Sequence, residues 1–455
     1  MQLPPALLQS IEGIEGFDRR AFEQVHALGT YPTSIRLNPA RPLSEAAKAY
    51  LHINEPVPWS RYGYYLAERP SFTFDPLFHA GAYYVQEASS MFLEAVLGQL
   101  VDTQKPLRVL DLSAAPGGKS THLHSLLSPD SLLLSNDVIR SRAMVLRDNL
   151  VKWGTANAIV TSHDPADLGK LEGFFDLIVV DAPCSGSGLI RREPEAVNEW
   201  SENNVALCSQ RQQRILADVL PALAMGGTLV YSTCSYSPAE NETILRWLRE
   251  AFSLDSLRVN VRAYPGIAEV GTDQDGWGYR FWPHRLEGEG FFISAFRKTD
   301  GENRMAVRPR KKLPSPATKE LGYLYDWILP DGMLFVKNQE TIFAWPAAVA
   351  EEFHFLFEQL RWINSGVRVG DQVRDKLIPD HALALSGKLA SRIARTAVDR
   401  ETAIRFLQRK DPGLQGLDKG WRVVEYEGHS LGWINVLQGR INNYYPRELR
   451  ILRDS

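Results

Sequence analysis

Between positions 107 and 296 the chain repeats one alternation: short aliphatic and β-branched runs, each followed by an amphipathic helical stretch. Nothing else in the sequence constrains the fold as strongly. Strands separated by helices are carried into parallel pairing, and a parallel sheet is buried on both faces by those helices. The runs at 108–112, 132–136, 158–161 and 175–180 predict four strands, the last of them the most strongly apolar. Helices are expected from near Lys119, over 140–153 with Gly154 as the stop, and over 203–224 with a stop at Gly226-Gly227. A fifth strand follows at 228–232, and 290–296 predicts a last strand, antiparallel and at the sheet's edge. The fold class is α/β, a doubly wound and mostly parallel sheet.

The remainder divides around that core. Residues 1–75 mix short helical patterns with turns and read as a small leading region; 76–300 hold the α/β core. The stretch 301–318 is Pro-punctuated and carries Arg304, Arg308, Arg310, Lys311 and Lys312 without an acid between them, which predicts a basic linker. Residues 319–455 read as a separate C-terminal region, helical around 351–362 and strand-like at 421–426 and 431–436. Globally the charge is near balance, 51 Lys+Arg against 54 Asp+Glu, yet 381–455 holds 13 Lys/Arg against 8 Asp/Glu. A basic flank beside a near-neutral core fits an RNA partner as well as a solvated face.

With 44 % hydrophobic and 23 % charged residues, the composition excludes disorder and coiled coil as the main description. The apolar run at 177–180 is far too short to span a bilayer, which takes about 20 residues. Met1-Gln2-Leu3-Pro4-Pro5 offers no basic segment ahead of an apolar one, so no signal peptide is read. Three cysteines make no disulfide framework and suit a reducing compartment. A cytoplasmic, membrane-free protein is expected.

The chemistry gathers at strand ends. Asp111-Leu112-Ser113-Ala114-Ala115-Pro116-Gly117-Gly118-Lys119-Ser120 lies between the first strand and its helix, where a doubly wound sheet binds ligands. Gly118-Lys119-Ser120 lacks the spacing of a nucleotide-triphosphate loop, because the position five before Gly118 is Ser113. The loop alone fits either a cofactor site or a tight turn. Asp137, Asp164 and Asp181 follow the second, third and fourth strands. One such acid is commonly a helix cap, but three beside a glycine loop favour a nucleoside-bearing cofactor, with Asp137 placed for ribose hydroxyls. Cys184 and Cys234 follow the fourth and fifth strands. Neighbouring parallel strands lie about 4.8 Å apart, so both thiols face one pocket. No Cys-x-x-Cys or nearby His completes a metal set, so no metal is expected, and a disulfide is disfavoured in a reducing compartment. Nucleophilic thiolate chemistry is the remaining reading. Cys208, on a helix, reads as structural.

Together these residues resemble the Sun/Fmu family of S-adenosylmethionine-dependent RNA 5-methylcytosine methyltransferases. The likeness covers 82–297 and rests on Tyr84-Val85-Gln86-Glu87-Ala88-Ser89-Ser90, on 114–120, on Asp181-Ala182-Pro183-Cys184-Ser185-Gly186, on Ser232-Thr233-Cys234-Ser235 and on Gly290-Phe291-Phe292-Ile293. Gly432-Trp433 with Asn442-Asn443-Tyr444-Tyr445-Pro446 is similar to the PUA-like tail of the RsmF/YebU branch, which modifies small-subunit ribosomal RNA. Ser113 stands where many relatives carry Cys. The resemblance implies a Rossmann-like methyltransferase core, a small N-terminal α/β domain and a PUA-like α+β domain at about 380–455. It implies that Ala114, Ala115, Pro116, Gly117, Gly118, Lys119 and Ser120 wrap the methionine end of S-adenosylmethionine, that Asp137 holds the ribose and Asp164 the adenine edge, and that Asp181 sits between cofactor and base. Cys234 maps to the nucleophile and Cys184 to its partner in product release, with Asp181 and Lys119 assisting at the base. The partner implied is RNA, foremost 16S ribosomal RNA or the 30S subunit, met by a monomer. The same reaction on transfer RNA, a non-catalytic assembly factor and a small-molecule methyltransferase are the competing readings. The basic C-terminal region and the two-thiol site argue against the last.

Overall fold

The computed structural model describes residues 3–272, 274–374 and 376–453; Met1 and Gln2, at the head of the segment searched for a signal sequence, lie outside them. A small antiparallel sheet leads the chain. Its strands are β1 (Thr33–Leu37), β2 (Ile53–Pro56), β3 (Gly63–Leu66) and β4 (Tyr83–Val85), arranged β2-β3-β1-β4.

The parallel sheet then forms where the apolar runs place it. It comprises β5 (Arg108–Asp111), β6 (Leu132–Asn136), β7 (Ala158–Thr161), β8 (Phe175–Asp181) and β9 (Leu223–Thr233) in the order β9-β8-β5-β6-β7. Every side chain of β5, β6 and β7 is buried, as two-sided helical cover demands. The helices are α1 (Gly118–Leu126), α2 (Arg140–Trp153), α3 (Pro165–Gly169), α4 (Glu202–Val219) and α5 (Glu242–Ala251). Gly154 takes the left-handed conformation that ends α2, at φ +87°. The chain moves outward from β5 through β6 and β7, then returns to β8 on the other side of β5. The switch in direction falls between β5 and β8, and a ligand crevice opens there.

Three expectations are corrected. The helix over 203–224 ends at Val219, and β9 begins at Leu223, five residues before the strand expected at 228. Pro221 lacks the N–H that another helical turn needs, and Leu223 pairs with Phe175 instead. The strand expected at the edge is β13 (Phe291–Lys298), antiparallel but interior. It lies between β9 and the hairpin of β11 (Ala268–Thr272) and β12 (Gly276–Phe281), with β10 (Leu254–Ser256) beside it. The Gly-interrupted segments of that hairpin give little strand signal. The helix expected over 351–362 is α6 (Ala350–Gln359). Trp362 instead opens a strand, β16 (Trp362–Ser365), which joins the far edge of the central sheet antiparallel to β7. Strand pairing therefore joins the C-terminal region to the central sheet.

Two four-stranded sheets complete the chain: β14 (Met333–Asn338), β15 (Thr341–Pro346), β17 (Val367–Val373) and β18 (Lys376–Pro379), then β19 (Ala394–Ala397), β20 (Gly420–Tyr426), β21 (His429–Leu437) and β22 (Arg440–Asn443). The division at 75, 300 and 318 stands as a proposal about folding units, and strand pairing crosses it at β4 and β16. The basic stretch is strapped down. Arg304 pairs with Asp176 at 2.9 Å, Arg108 donates to the Met305 carbonyl at 2.7 Å, and the Arg310 and Lys311 N–H groups donate to Glu358. Arg41 ties three regions by donating to the carbonyls of Ala80, Lys152 and Leu385.

One apolar cluster runs from Leu110, Ile178 and Val180 of the central sheet to Trp345, Phe353 and Leu356 beyond the strap. Phe353 is fully buried against Trp345, and Phe174 stacks on Phe355 with ring centroids 5.6 Å apart. Because the core is shared, Phe353→Ala is expected to destabilise the central sheet itself. Chemical denaturation should show a loss of about 3–5 kcal/mol, read on the same transition as the central sheet.

Candidate active site

The loop after β5 is held from below by α2. Asn149 donates to the Pro116 carbonyl at 2.8 Å and Arg142 to the Ala115 carbonyl at 2.9 Å, while the Ala114 N–H donates to the Asn136 carbonyl at 2.8 Å. Gly117 has φ +115°, and a Cβ there would sit 3.3 Å from Leu146 Cδ1, so the turn needs glycine. Ala114 and Ala115 are buried, and α1 starts at Gly118 with its N–H groups facing the crevice end of the sheet. Ser120, in the first turn, donates to Asp111 Oδ2 at 2.6 Å and lies 2.8 Å from Ser135 Oγ.

Asp111 itself is fully buried, and its Oδ1 has no hydrogen-bond partner. Burial pushes its carboxyl up to about 7, opposed by Ser120 and Lys119 and reinforced by the charges of Asp181 and Asp137. Asp137 is also buried. Its Oδ1 accepts the Ile139 N–H at 2.9 Å, and Oδ2 is left without a hydrogen bond, 3.7 Å from Arg142. Next to it Val138 and Ile139 are 59 % and 50 % exposed, an apolar pair at the lip of the crevice. Asp164 caps α3, accepting the Ala166 N–H at 3.1 Å, and sits two strands away from β5. Asp181 pairs with Lys119 at 2.8 Å and accepts the Ser232 hydroxyl at 2.8 Å. Lys119 also faces the Phe291 ring, 5.2 Å from its centroid.

β8 and β9 pair in parallel with Asp181 opposite Ser232, so the segments leaving both strands run side by side. This brings Cys184 Sγ to 2.8 Å from Cys234 Sγ, with both residues half-buried. The hydrogen bond shared with Cys234, then burial, then the charges of Cys234 and Glu240 push the Cys184 thiol well up. The loops are cross-braced, since the Gly188 N–H donates to the Cys234 carbonyl at 2.8 Å and the Gly290 N–H to the Gly188 carbonyl at 3.1 Å. Cys208 is buried on α4.

Three groups at the site escape sequence reasoning. Asp111 looked like the last residue of a strand. Glu240 and Asn241, in Pro238-Ala239-Glu240-Asn241-Glu242, carry the signature of a helix start, and nothing local shows that they turn back to the cysteines. Among the described residues no group of His, Cys, Asp and Glu could hold a metal ion, and no helix is long and apolar enough to cross a membrane.

Known proteins give the frame for this geometry. Residues 99–297 match the family described as 16S rRNA methyltransferase RsmB/F, residues 3–88 the N-terminal domain of 16S rRNA methyltransferase RsmF, and residues 394–451 the RsmF PUA domain. The curated protein named ribosomal RNA small subunit methyltransferase F from Shewanella loihica is 30 % identical over 414 residues, covering 87 % of this chain and 83 % of that one. The chain belongs to the RsmB/F family of 16S rRNA methyltransferases. A protein of the same name from Shewanella sp. strain W3-18-1 is 30 % identical over 444 residues, 91 % of this chain and 90 % of that one. Among solved structures, a methyltransferase homolog from Pyrococcus horikoshii shares 29 % identity with a TM-score of 0.52, covering 65 % of this chain and 100 % of that one. NSun6 from Pyrococcus horikoshii, solved with SFG, shares 18 % identity with a TM-score of 0.54 over 65 % of this chain and 98 % of that one, a likeness of fold. As a member of this family the chain is an RNA methyltransferase, and S-adenosylmethionine is its cofactor.

The raised Asp111 carboxyl sets a pH dependence. A carboxyl lifted from its ordinary 3.8 to about 7 binds more protons folded than unfolded between those values. Its contribution to stability therefore falls as pH rises through that window. Asp111→Asn removes the ionisation, so thermal unfolding of the cofactor-free protein should find the variant more stable than wild type at pH 8. The gap should close toward pH 5.

Proposed function

We propose that the protein methylates carbon 5 of cytidine in small-subunit ribosomal RNA, with Cys234 as nucleophile and Cys184 as the group that lets the product go. The observation that carries this reading is the pair of thiols at 2.8 Å beside the Lys119–Asp181 ion pair, at the carboxyl end of adjacent strands. Carbon 5 of cytosine is a poor nucleophile, and a thiol addition at carbon 6 cures that. A second thiol at contact distance is unnecessary for the addition, but fits the elimination that must follow.

The crevice suits the cofactor. Two buried carboxylate oxygens, Asp111 Oδ1 and Asp137 Oδ2, have no hydrogen-bond partner in the protein, and they flank the glycine loop on β5 and β6. In this reading Asp137 takes ribose hydroxyls, the apolar pair Val138 and Ile139 supports the adenine face, and 114–120 surround the methionine end, whose ammonium complements Asp111. Asp164 is the more remote candidate, offered for the adenine edge. When bound, the cofactor supplies an electrophilic methyl group.

The chain's own residues do the rest. The Cys234 thiolate forms a bond to carbon 6, and the electron pair of the 5,6 double bond moves to carbon 5. In this reading Asp181, held by Lys119 and Ser232, stabilises the protonated ring nitrogen or the exocyclic amine, and Lys119 neutralises the ring carbonyl. After methyl transfer the proton on carbon 5 goes to Cys184 or a nearby water acting as base. The bond from Cys234 to carbon 6 then breaks, and the thiolate departs beside the Cys184 thiol. The base leaves its stack first, at a cost of a few kcal/mol, and the PUA domain and the exposed cations of 304–312 contribute the RNA contacts that offset it. The protein is taken to act as a monomer.

Methyl transfer from labelled S-adenosylmethionine to 30S subunits, naked 16S ribosomal RNA and bulk transfer RNA tests the reading. Label should enter ribosomal RNA as 5-methylcytosine, and Cys234→Ala should abolish it with cofactor affinity unchanged. Label confined to transfer RNA overturns the substrate, and substantial turnover in the variant overturns the nucleophile. Cys184→Ala should instead accumulate a denaturation-resistant protein–RNA adduct on gels, and an active variant without adduct removes Cys184 from product release.

A further inference from the structure

Six residues beyond Cys234, Glu240 is fully buried at the end of a short 3-10 turn, Pro238–Glu240. The donors that meet its carboxylate are neutral. Oε1 accepts the Ser185 N–H at 2.8 Å and the Gln212 amide at 3.3 Å, and Oε2 accepts the Ser185 hydroxyl at 2.6 Å and the Ser235 hydroxyl at 2.5 Å. Ser185 directly follows Cys184, and Ser235 directly follows Cys234. A single carboxylate thus takes hydrogen bonds from the neighbour of each thiol. Burying such a group without a cation is costly, and a satisfied buried network fixes one arrangement of the chain.

Asn241 adds a second brace on one loop. Its side-chain oxygen accepts the Thr233 hydroxyl at 2.7 Å and its amide donates to the Ser235 carbonyl at 2.7 Å, so it bridges the two residues flanking Cys234. The Tyr231 hydroxyl donates to the Glu240 carbonyl at 2.6 Å, which anchors the turn to β9.

We propose that Glu240 is a positioning residue that clamps the Cys184 and Cys234 loops together. This deepens the cytosine reading above and rests on it, because only a reaction using both thiols needs them held in register. The groups around Cys184 are Cys234, Glu240, the Gly186 N–H, Tyr231, the Lys119–Asp181 ion pair and, farther along α4, Cys208. Of these, Glu240 is the one that touches both loops. A negative charge there opposes a second one on Cys184, while the clamp keeps Cys184 close enough to hydrogen-bond a thiolate on Cys234.

The test needs neither RNA nor cofactor. Glu240→Gln keeps the shape, since the Ser185 and Ser235 hydroxyls can turn to accept from the new amide, and it removes the charge. Glu240→Ala removes the clamp. Both are made with Cys208→Ala, which leaves Cys184 and Cys234 as the only thiols, and melting curves report the fold. In Glu240→Gln, mass-spectrometric iodoacetamide kinetics should show Cys184 alkylated about three- to tenfold faster at pH 7.5, as a thiol pKa lower by half to one unit dictates. Its alkylation-pH profile should shift down by the same amount. In Glu240→Ala, bridging of the two thiols by dibromobimane should slow by about tenfold, the effect expected when about 1.4 kcal/mol of positioning is lost. An unchanged profile in the first variant together with a wild-type bridging rate in the second overturns the proposal. Ser185→Ala with Ser235→Ala keeps the carboxylate but removes two of its donors. Where the Glu240 variants do not fold, slowed bridging in this double variant supports the clamp and a wild-type rate sinks it. Failure of the cytosine reading looks different: thiol readouts as expected, with methyl label arriving on another atom or on no RNA.

Discussion

The parallel pairing of β8 with β9 is the contact on which the site depends. Asp181 lies opposite Ser232, so the segments leaving the two strands run alongside each other, and residues 50 apart in sequence bring their sulfurs to 2.8 Å. A slip of one residue in that register would turn Asp181 and Ser232 to opposite faces and part the thiols. The register is protected by burial, since β8 and β9 carry Leu177, Ile178, Val179, Leu229, Val230 and Tyr231 with no exposure to solvent.

Around that pairing the sheet places two chemistries side by side. The direction of winding reverses between β5 and β8, opening the crevice lined by the glycine loop and by one oxygen each of Asp111 and Asp137 that accepts no hydrogen bond among the described residues. On the β8–β9 side stand the thiols. Lys119 joins the halves, because it leaves the first turn of α1 and reaches Asp181 at the end of β8. The N-terminal sheet supports the same helix. Arg36, fully buried on β1, donates to Thr121 at 2.6 Å and to the Gly118 carbonyl at 3.3 Å. The leading region therefore braces the first turn of α1.

The polar interior of the site shows how a fold keeps charge where chemistry needs it. Asp111 is held away from water with one oxygen open, and burial lifts its carboxyl to about 7. Glu240 is satisfied entirely by neutral donors. Arg191 and Glu289, both buried, pair at 3.0 Å behind the Gly188–Gly290 contact, and burial lifts the Glu289 carboxyl to about 7 against the pull of Arg191. Charges this deep are retained at a cost in stability, and these stand close to the backbone segments that carry the site.

Several of these features are local enough to read without a structure. Strand and helix positions in the core follow from apolar periodicity. The Asp111–Ser120 loop, Asp137, Asp181, Cys184 and Cys234 announce themselves by lying where strands end, because in a doubly wound sheet that position already implies the ligand edge. What the sequence could not decide is every partnership across long separation. Glu240 resembles the start of a helix until Ser185, 55 residues earlier, is folded onto it. Trp362-Ile363-Asn364-Ser365 is too short to show that it pairs with β7 rather than beginning a new domain. Asp164 has the same local signature as Asp137, yet it caps a helix while Asp137 keeps a buried oxygen open. Local pattern determined which residues end strands, since backbone geometry and periodicity act over a few residues. Tertiary structure alone decided which ends meet, because register, burial and the satisfaction of buried polar groups are settled only when distant segments pack.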